Sequence, residues 1–225
     1  WFWARIHVRT QKLMYPKNGF QNFTNLIVKS LKNSGINFFL DNNITKVKKG
    51  KGGKLEIFLN NKKKEYDKVL MTTSPKILNS TVEGLGSEYR NKLNSVESMG
   101  AICIMFILKK PILKNTYWLN IPSPSVNIIN NEIPFLVFVE HTNMIESKYY
   151  NNTNIVYAAN YLPESSNMLS EDNEVIKDLY FRGIKKINPN FKKSDVLECV
   201  VSRTKYASPI FKINHSLSVP KFNTP

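Results

Sequence analysis

Tyr15-Pro-Lys-Asn-Gly19-Phe-Gln-Asn-Phe-Thr-Asn-Leu-Ile-Val-Lys-Ser-Leu-Lys-Asn-Ser-Gly35, followed by Ile36 to Val47, decides how the rest of the chain is read. Phe20, Phe23, Ile27 and Leu31 recur at helical spacing, with Leu26 beside them. Gly35 supplies the left-handed residue that ends such a helix. Ile36 to Leu40 reads as a short strand, and Ile44 to Val47 opens another. The order is therefore turn, helix, glycine stop, strand, turn, strand.

Upstream, Trp1 to Thr10 is aromatic and basic, with Arg5 and Arg9 one helical turn apart, and reads as the end of a helix. Downstream, Lys48 to Gly53 is a turn, and Leu55, Ile57 and Leu59 alternate as on a half-buried strand. Asn60 to Lys63 is the next turn. Glu65 to Met71 becomes fully apolar at Val69 and runs into Thr72-Thr-Ser-Pro75. These strands form a meander whose last member returns the chain to a buried sheet.

Composition changes after Pro75, and the domain boundary is placed there. A helix is expected over Glu88 to Val96, then a buried strand over Ala101 to Leu108. Strands follow at Tyr117 to Ile121, Phe135 to Glu140 and Ile155 to Tyr161. Ser170 to Ile187 is helical, with Val175, Ile176, Leu179, Tyr180, Ile184 and Ile187 on one face, and Asn188-Pro189 stops it. Val196 to Arg203 is the last strand. The fold class is α+β or α/β: a three-stranded meander, then a mixed sheet covered by helices.

With 225 residues, 42% of them hydrophobic, the chain can bury a core and is not a disordered segment. The longest apolar run, Ala101 to Leu108, suits a strand and is too short to span a bilayer. A net charge of +15 raises nucleic acid or an anionic membrane as partners. Against nucleic acid, the lysines are spread along the chain, and the local excess from Lys46 to Lys68 lacks the interleaved aromatics of a stacking platform. Cys103 and Cys199 lie in apolar contexts and read as small core hydrophobes in a reducing compartment, which points to the cytoplasm. His7, His141 and His215 have no ligand-like spacing, so no metal site is expected.

Several motifs resemble the flavin-containing amine oxidase superfamily, which includes protoporphyrinogen oxidases and phytoene-type desaturases. They are Tyr15 to Gln21 with its helix, Ile44-Thr-Lys-Val47, and Val69-Leu-Met-Thr-Thr-Ser-Pro75. The later half carries Tyr117-Trp-Leu-Asn120, Pro134-Phe135 leading to Val139-Glu-His-Thr-Asn143, Val156 to Tyr161, and Tyr206-Ala-Ser-Pro209. The resemblance implies an FAD-binding domain interleaved with a substrate domain. Residues 1–75 then belong to the FAD domain, with 1–14 drawn from either; 76–210 form the substrate domain, and 211–225 return towards the FAD domain. It also implies FAD contacts at Ile44, through its backbone, and at Thr73, Ser74 and Pro75, where small side chains admit the cofactor.

The family's glycine-rich phosphate loop is missing, and Gly84-Leu-Gly86 is a poor substitute because Tyr89 replaces the third glycine. The chain accordingly reads as an internal piece of a longer enzyme, inactive alone. The implied reaction is a two-electron oxidation of a C–N or C–C bond, with hydride transfer to FAD. Tyr117, Trp118, His141, Tyr157, Arg203 and Tyr206 are the candidates for contact with a small-molecule substrate. A greasy substrate would suit peripheral membrane association. The rival readings are a non-oxidative flavin mutase or isomerase, a basic binding protein without catalysis, and an inactive partner subunit. The oligomeric state is left open.

Overall fold

The computed structural model describes Trp3, His7 and residues 14–60, 62–122, 133–221, 223 and 224. Arg5 and Arg9, and with them the expected opening helix end, lie outside the described residues. The chain divides into two compact units, Trp1–Asn43 and Ile44–Pro225.

The first unit contains helix α1, Gly19–Asn33. Its C-terminus closes as the sequence requires. Gly35 adopts φ +83°, its N–H donates to Lys32 O at 3.0 Å, and the Ile36 N–H reaches back to Leu31 O at 3.1 Å. These are the paired bonds of a left-handed helix stop. Residues 36–39 do not form the expected strand. An extended apolar segment becomes a strand only within a ladder, and residues 36–39 belong to neither of the two described sheets.

The second unit opens with the meander β1 (Ile44–Lys49), β2 (Leu55–Leu59) and β3 (Lys62–Tyr66), paired antiparallel in that order. Val47 and Ile57 face each other and are buried. Lys46, Lys48, Glu56, Lys63 and Glu65 occupy the opposite face. Glu56 is held by both Lys48 and Lys63, and Lys46 pairs with Glu83. Lys46 and Lys48 also lie 5.8 and 5.6 Å from the Phe58 ring. Much of the basic excess read in this ribbon is thus a solvated ladder of exchanged charges.

The third strand ends at Tyr66, and Val69 to Met71 do not continue into a sheet as expected. Leu70 is 88% exposed. The helix α2 (Pro75–Thr81) follows, unanticipated although its start is legible. Ser74 accepts the Ile77 N–H through its hydroxyl and Pro75 fills the first turn, the standard chemistry of a helix start. After α3 (Ser87–Asn94), Arg90 folds back on α2. Its guanidinium donates to the carbonyls of Asn79, Val82 and Leu85 at 2.8, 3.0 and 3.2 Å. It thereby satisfies carbonyls that the end of α2 leaves open.

The core is built on a five-stranded sheet in the order β5 (Trp118–Asn120), β6 (Val137–Glu140), β7 (Asn154–Pro163), β4 (Ser98–Leu108), β8 (Val196–Pro209). Every pair in it is antiparallel, so the sheet is not mixed; the α+β class stands. Strict alternation in β4 buries Ile102, Ile104, Phe106 and Leu108 completely. These side chains meet the apolar stripe of α4 (Asn173–Ile187), with Ile176, Tyr180 and Ile184 fully sheltered.

Asp172 caps α4 by accepting the Glu174 N–H at 2.7 Å, so the helix starts later than Ser170. Val175, expected on the buried face, is 53% exposed. Gly183 is buried instead. A Cβ there would sit 2.5 Å from Pro134 Cδ and 2.9 Å from the Phe135 ring, so only glycine lets the helix approach this closely. The last strand extends past Arg203 to Pro209, with a register shift opposite Gly100.

Tyr180 is the largest fully buried side chain, and among the described residues its hydroxyl has no hydrogen-bond partner. Removing an unsatisfied buried hydroxyl relieves a desolvation cost of about 1–3 kcal/mol. Tyr180→Phe should therefore raise the unfolding free energy by about 1 kcal/mol in urea titration. Most single changes in a core do the reverse.

Candidate functional site

The segment Thr72–Pro75 and the end of β8 converge. Thr72, Thr73, Ser74 and Pro75 form one wall of a cleft of about 330 Å³. Tyr206, Ala207, Ser208 and Pro209 form another wall, and His215, Val219 and Pro220 close it. A second cleft of about 570 Å³ shares Thr73, Pro75 and Pro220. It continues along Val69, Leu70 and Met71. The apolar run that failed to become a strand is therefore cleft lining. The walls are mostly small or imino side chains, which lets a flat ring approach backbone on two sides.

Tyr206 is held from behind. Lys76, one residue beyond Pro75, places its ammonium 5.7 Å from the Tyr206 ring centroid and pairs with Glu164 at the end of β7. Three elements, α2, β7 and β8, are thus tied together beside the cleft.

The open face of the five-stranded sheet carries a row read directly from the register. Trp118, Val139, Tyr157, Met105 and Val200 stand opposite one another across all five strands. Directly opposed residues share a face. The neighbouring row is Asn120, Val137, Ala159, Cys103 and Ser202. Both point away from α4, whose side receives Phe138, Ala158 and Ile104. Trp118 remains 51% exposed, and its indole N–H donates to Asn120 Oδ1 at 2.8 Å.

Glu140 and His141 lie at the end of β6. Glu140 is fully buried, and among the described residues no cation pairs with it. Its Oε2 accepts the N–H groups of Ile112 and Leu113 at 2.9 and 3.0 Å, and its Oε1 accepts the Thr142 hydroxyl at 3.3 Å. Burial pushes its carboxyl pKa up, and the backbone donors offset only part of that. His141 is buried, bonded through Nε2 to the Tyr150 hydroxyl at 2.7 Å, and stands edge-on to Tyr157. Burial lowers its pKa, so the ring is neutral at physiological pH.

Of the residues expected to touch substrate, Trp118 and Tyr157 share the open face, and His141 borders Tyr157. Tyr117 is half-buried, and its carbonyl accepts the Glu140 N–H at 2.9 Å. Arg203 stands opposite Ile102, on the side of α4, and donates to Asn173 Oδ1 at 2.6 Å. Tyr206 sits apart from the others, in the cleft with Thr73, Ser74 and Pro75. Ile44 is exposed at the start of β1, paired with Leu59. The sequence showed Tyr206-Ala-Ser-Pro209 as a motif and His215 as a histidine without ligand-like spacing, but did not place Ala207, Ser208, Pro209, His215 or Val219 in a site.

Gly86 caps the N-terminus of α3, with Glu88 in the first turn, an arrangement that repels an anion. Among the described residues no set of three His, Cys, Asp or Glu side chains could hold a metal ion. Cys103 and Cys199 are unpaired, and burial pushes the Cys199 thiol up to about 11. No described helix is long and apolar enough to cross a membrane.

This constellation can be compared with known proteins. The model of the flavin containing amine oxidoreductase family matches residues 4–210. The chain belongs to that family. Flavin, as FAD, is the cofactor of that family, and the family is one of oxidoreductases. No curated protein is similar enough in sequence to count as a relative.

Among solved structures, a putative protoporphyrinogen oxidase from Exiguobacterium sp. 255-15 superposes with a TM-score of 0.68 at 10% identity, over 86% of this chain and 41% of that one. An oxidoreductase from Methanosarcina mazei gives 0.63 at 15% identity, over 85% and 44%. A reduced UDP-galactopyranose mutase gives 0.66 at 15% identity, over 87% and 41%. The chain therefore spans about two fifths of the length of the structures it resembles, and these likenesses speak for the fold alone.

The residues present fit one end of FAD. The cleft between Thr72–Pro75 and Tyr206–Pro209 suits a flat ring pressed against backbone, whereas no described loop suits a pyrophosphate.

Proposed function

We propose that this chain supplies one wall of the flavin site and the substrate sheet of an FAD-dependent oxidoreductase acting on a small molecule. In this reading, residues 1–75 belong to the flavin-binding part and 76–210 to the substrate part, with 211–225 leading back towards the flavin. Bound FAD would supply the two-electron acceptor for hydride from a C–N or C–C bond. Thr73, Ser74 and Pro75 would hold the cofactor from one side, and Tyr206 and Ala207 from the other. Ile44 would contribute a backbone contact. Trp118 and Tyr157 would give the substrate an apolar surface and exclude water from it. His141, neutral and fixed by Tyr150, would orient Tyr157. Tyr117 and Arg203 would brace this surface from the sheet edge and from beneath.

The observation that carries this reading is the convergence of Thr73–Pro75 with Tyr206–Pro209 on one cleft, in a chain matched to the family from residue 4 to 210. A redox-neutral mutase reaction is the second reading, favoured by the likeness to a mutase fold. The test is FAD titration of the full chain, followed by visible absorption and flavin fluorescence. Quenched fluorescence with a structured absorption band is expected. A spectrum identical to free FAD at saturating protein would overturn the assignment. Anaerobic bleaching by an amine or a hydride-donating substrate would favour oxidation, and turnover without net bleaching would favour the mutase.

A further inference from the structure

Tyr206 lies where β8 leaves its regular ladder. Between the pairs Met99–Ser208 and Ala101–Thr204, a single β4 residue, Gly100, faces Lys205, Tyr206 and Ala207. A bulge of this kind re-aims side chains and disrupts the ladder that would hold them. The Tyr206 N–H donates instead to the Thr204 hydroxyl, at 3.3 Å, within its own strand. The backbone therefore brings Tyr206 to the cleft without fixing its ring.

Support for the ring comes from α2. The Lys76 ammonium stands over the Tyr206 ring, 5.7 Å from its centroid and within cation–π range, and pairs with Glu164. Glu164 directly follows Pro163, which is registered opposite Met99, so its carboxylate is tied to the same strand that carries the bulge. Lys76 directly follows Pro75, which ends the first wall of the cleft, and Tyr206 opens the second. Lys76 does not line that cleft. With Glu97, Met99 and Glu164 it borders a separate space of about 450 Å³, so it reaches Tyr206 from behind. A cation in the first turn opposes the helix dipole, so the stability of α2 does not explain its place there.

We propose that Lys76 and Glu164 are a positioning pair that clasps Tyr206 and so sets the gap between the two walls of the cleft. Both act through the Tyr206 ring. The functional consequence, a tighter hold on a flat ring, rests on the flavin reading of that cleft; the clasp itself does not.

The clasp is tested first in the full chain without FAD. With isotope-labelled lysine, the Lys76 methylene beside the ammonium should resonate upfield, displaced by the Tyr206 ring, and Tyr206→Leu should remove the displacement. FAD fluorescence titration then reads the consequence. Lys76→Met should weaken binding about three- to tenfold, the range expected for one lost cation–π contact. Lys76→Arg should restore it, because a guanidinium stacks on the ring and pairs with the carboxylate. In a Tyr206→Leu background, Lys76→Met should produce no further loss, since the two residues act as a unit. Both Lys76 and Glu164 are partly exposed, so the thermal melt should hold. The proposal is overturned by a Lys76 resonance that Tyr206→Leu leaves in place. It is equally overturned if the parent binds FAD and Lys76→Met binds it as tightly, if arginine fails to restore binding, or if the losses add in the double variant. A displaced Lys76 resonance in a chain that leaves FAD fluorescence unquenched supports the clasp and overturns the flavin reading instead.

Discussion

Glu140→Ala should be among the most damaging single substitutions in this chain, costing about 2–5 kcal/mol in chemical denaturation. The cost does not come from a lost ion pair, because Glu140 makes none among the described residues. Its carboxylate accepts two backbone N–H groups, those of Ile112 and Leu113, inside the protein. Truncation strands both donors away from water, at about 1–3 kcal/mol each. Relief of the buried charge gives a part back. Glu140→Gln separates the two effects. Its carbonyl oxygen can keep both backbone bonds, and its amide can donate to the Thr142 hydroxyl, which already accepts the Ile155 N–H. The glutamine variant should match or exceed the parent at neutral pH.

The pH dependence follows from the direction of the shift. The folded-state pKa of Glu140 is raised, so its contribution is fully present below the unfolded carboxyl value. It is lost as pH rises through the folded value. The melting difference between Glu140→Gln and the parent should therefore grow in favour of glutamine from pH 4 to pH 7. An alanine variant as stable as glutamine would show that the two N–H groups find other acceptors. The consequence reaches the site, because Asn143 Nδ2 also donates to the carbonyls of Leu113 and Thr116. Together, Glu140 and Asn143 fix the loop that delivers Tyr117 and Trp118 to the open sheet face.

Sequence patterning revealed what depends on local chemistry. Gly35 ended its helix, Leu55, Ile57 and Leu59 gave a meander strand, and the unbroken apolar run from Ala101 located the central strand. It failed where the outcome depends on a partner. Ile36 to Leu40 and Val69 to Met71 are as apolar as real strands, but they lie outside both sheets formed by the described residues. Val175 fits the helical period yet lies at the edge of the stripe, and Gly183 is buried because Pro134 and Phe135 approach there. The candidate residues were legible as motifs, but their distribution over separate surfaces was not. Spacing along one strand cannot reveal that Trp118, Tyr157, Met105 and Val200 form a single row. Nor can it reveal that Arg203 faces the helix while Tyr206, within the register shift, lines the cleft with Thr73.

The second large effect concerns that cleft. Ala207→Trp should weaken flavin binding by about a hundredfold, equivalent to about 2.7 kcal/mol. Ala207 lines the same 330 Å³ space as Thr73 and Pro75, and a bulky indole there fills the gap into which a flat ring would slide. The methyl of alanine is exposed, so the substitution opens no cavity and buries no unmatched polar group, and the melting temperature should hold. Val175→Trp, on the exposed side of α4, is the matched control, with no expected effect on flavin fluorescence quenching. Equal quenching by both variants would move the ring out of this cleft. Its nearest alternative is the adjoining 570 Å³ space along Val69 to Met71. Leu78→Trp would then become the blocking substitution, because Leu78 lines that second space and not the first. The pair of tryptophan variants therefore assigns the ring to one side or the other of Thr73 and Pro75, the two residues from the α2 side that both spaces share.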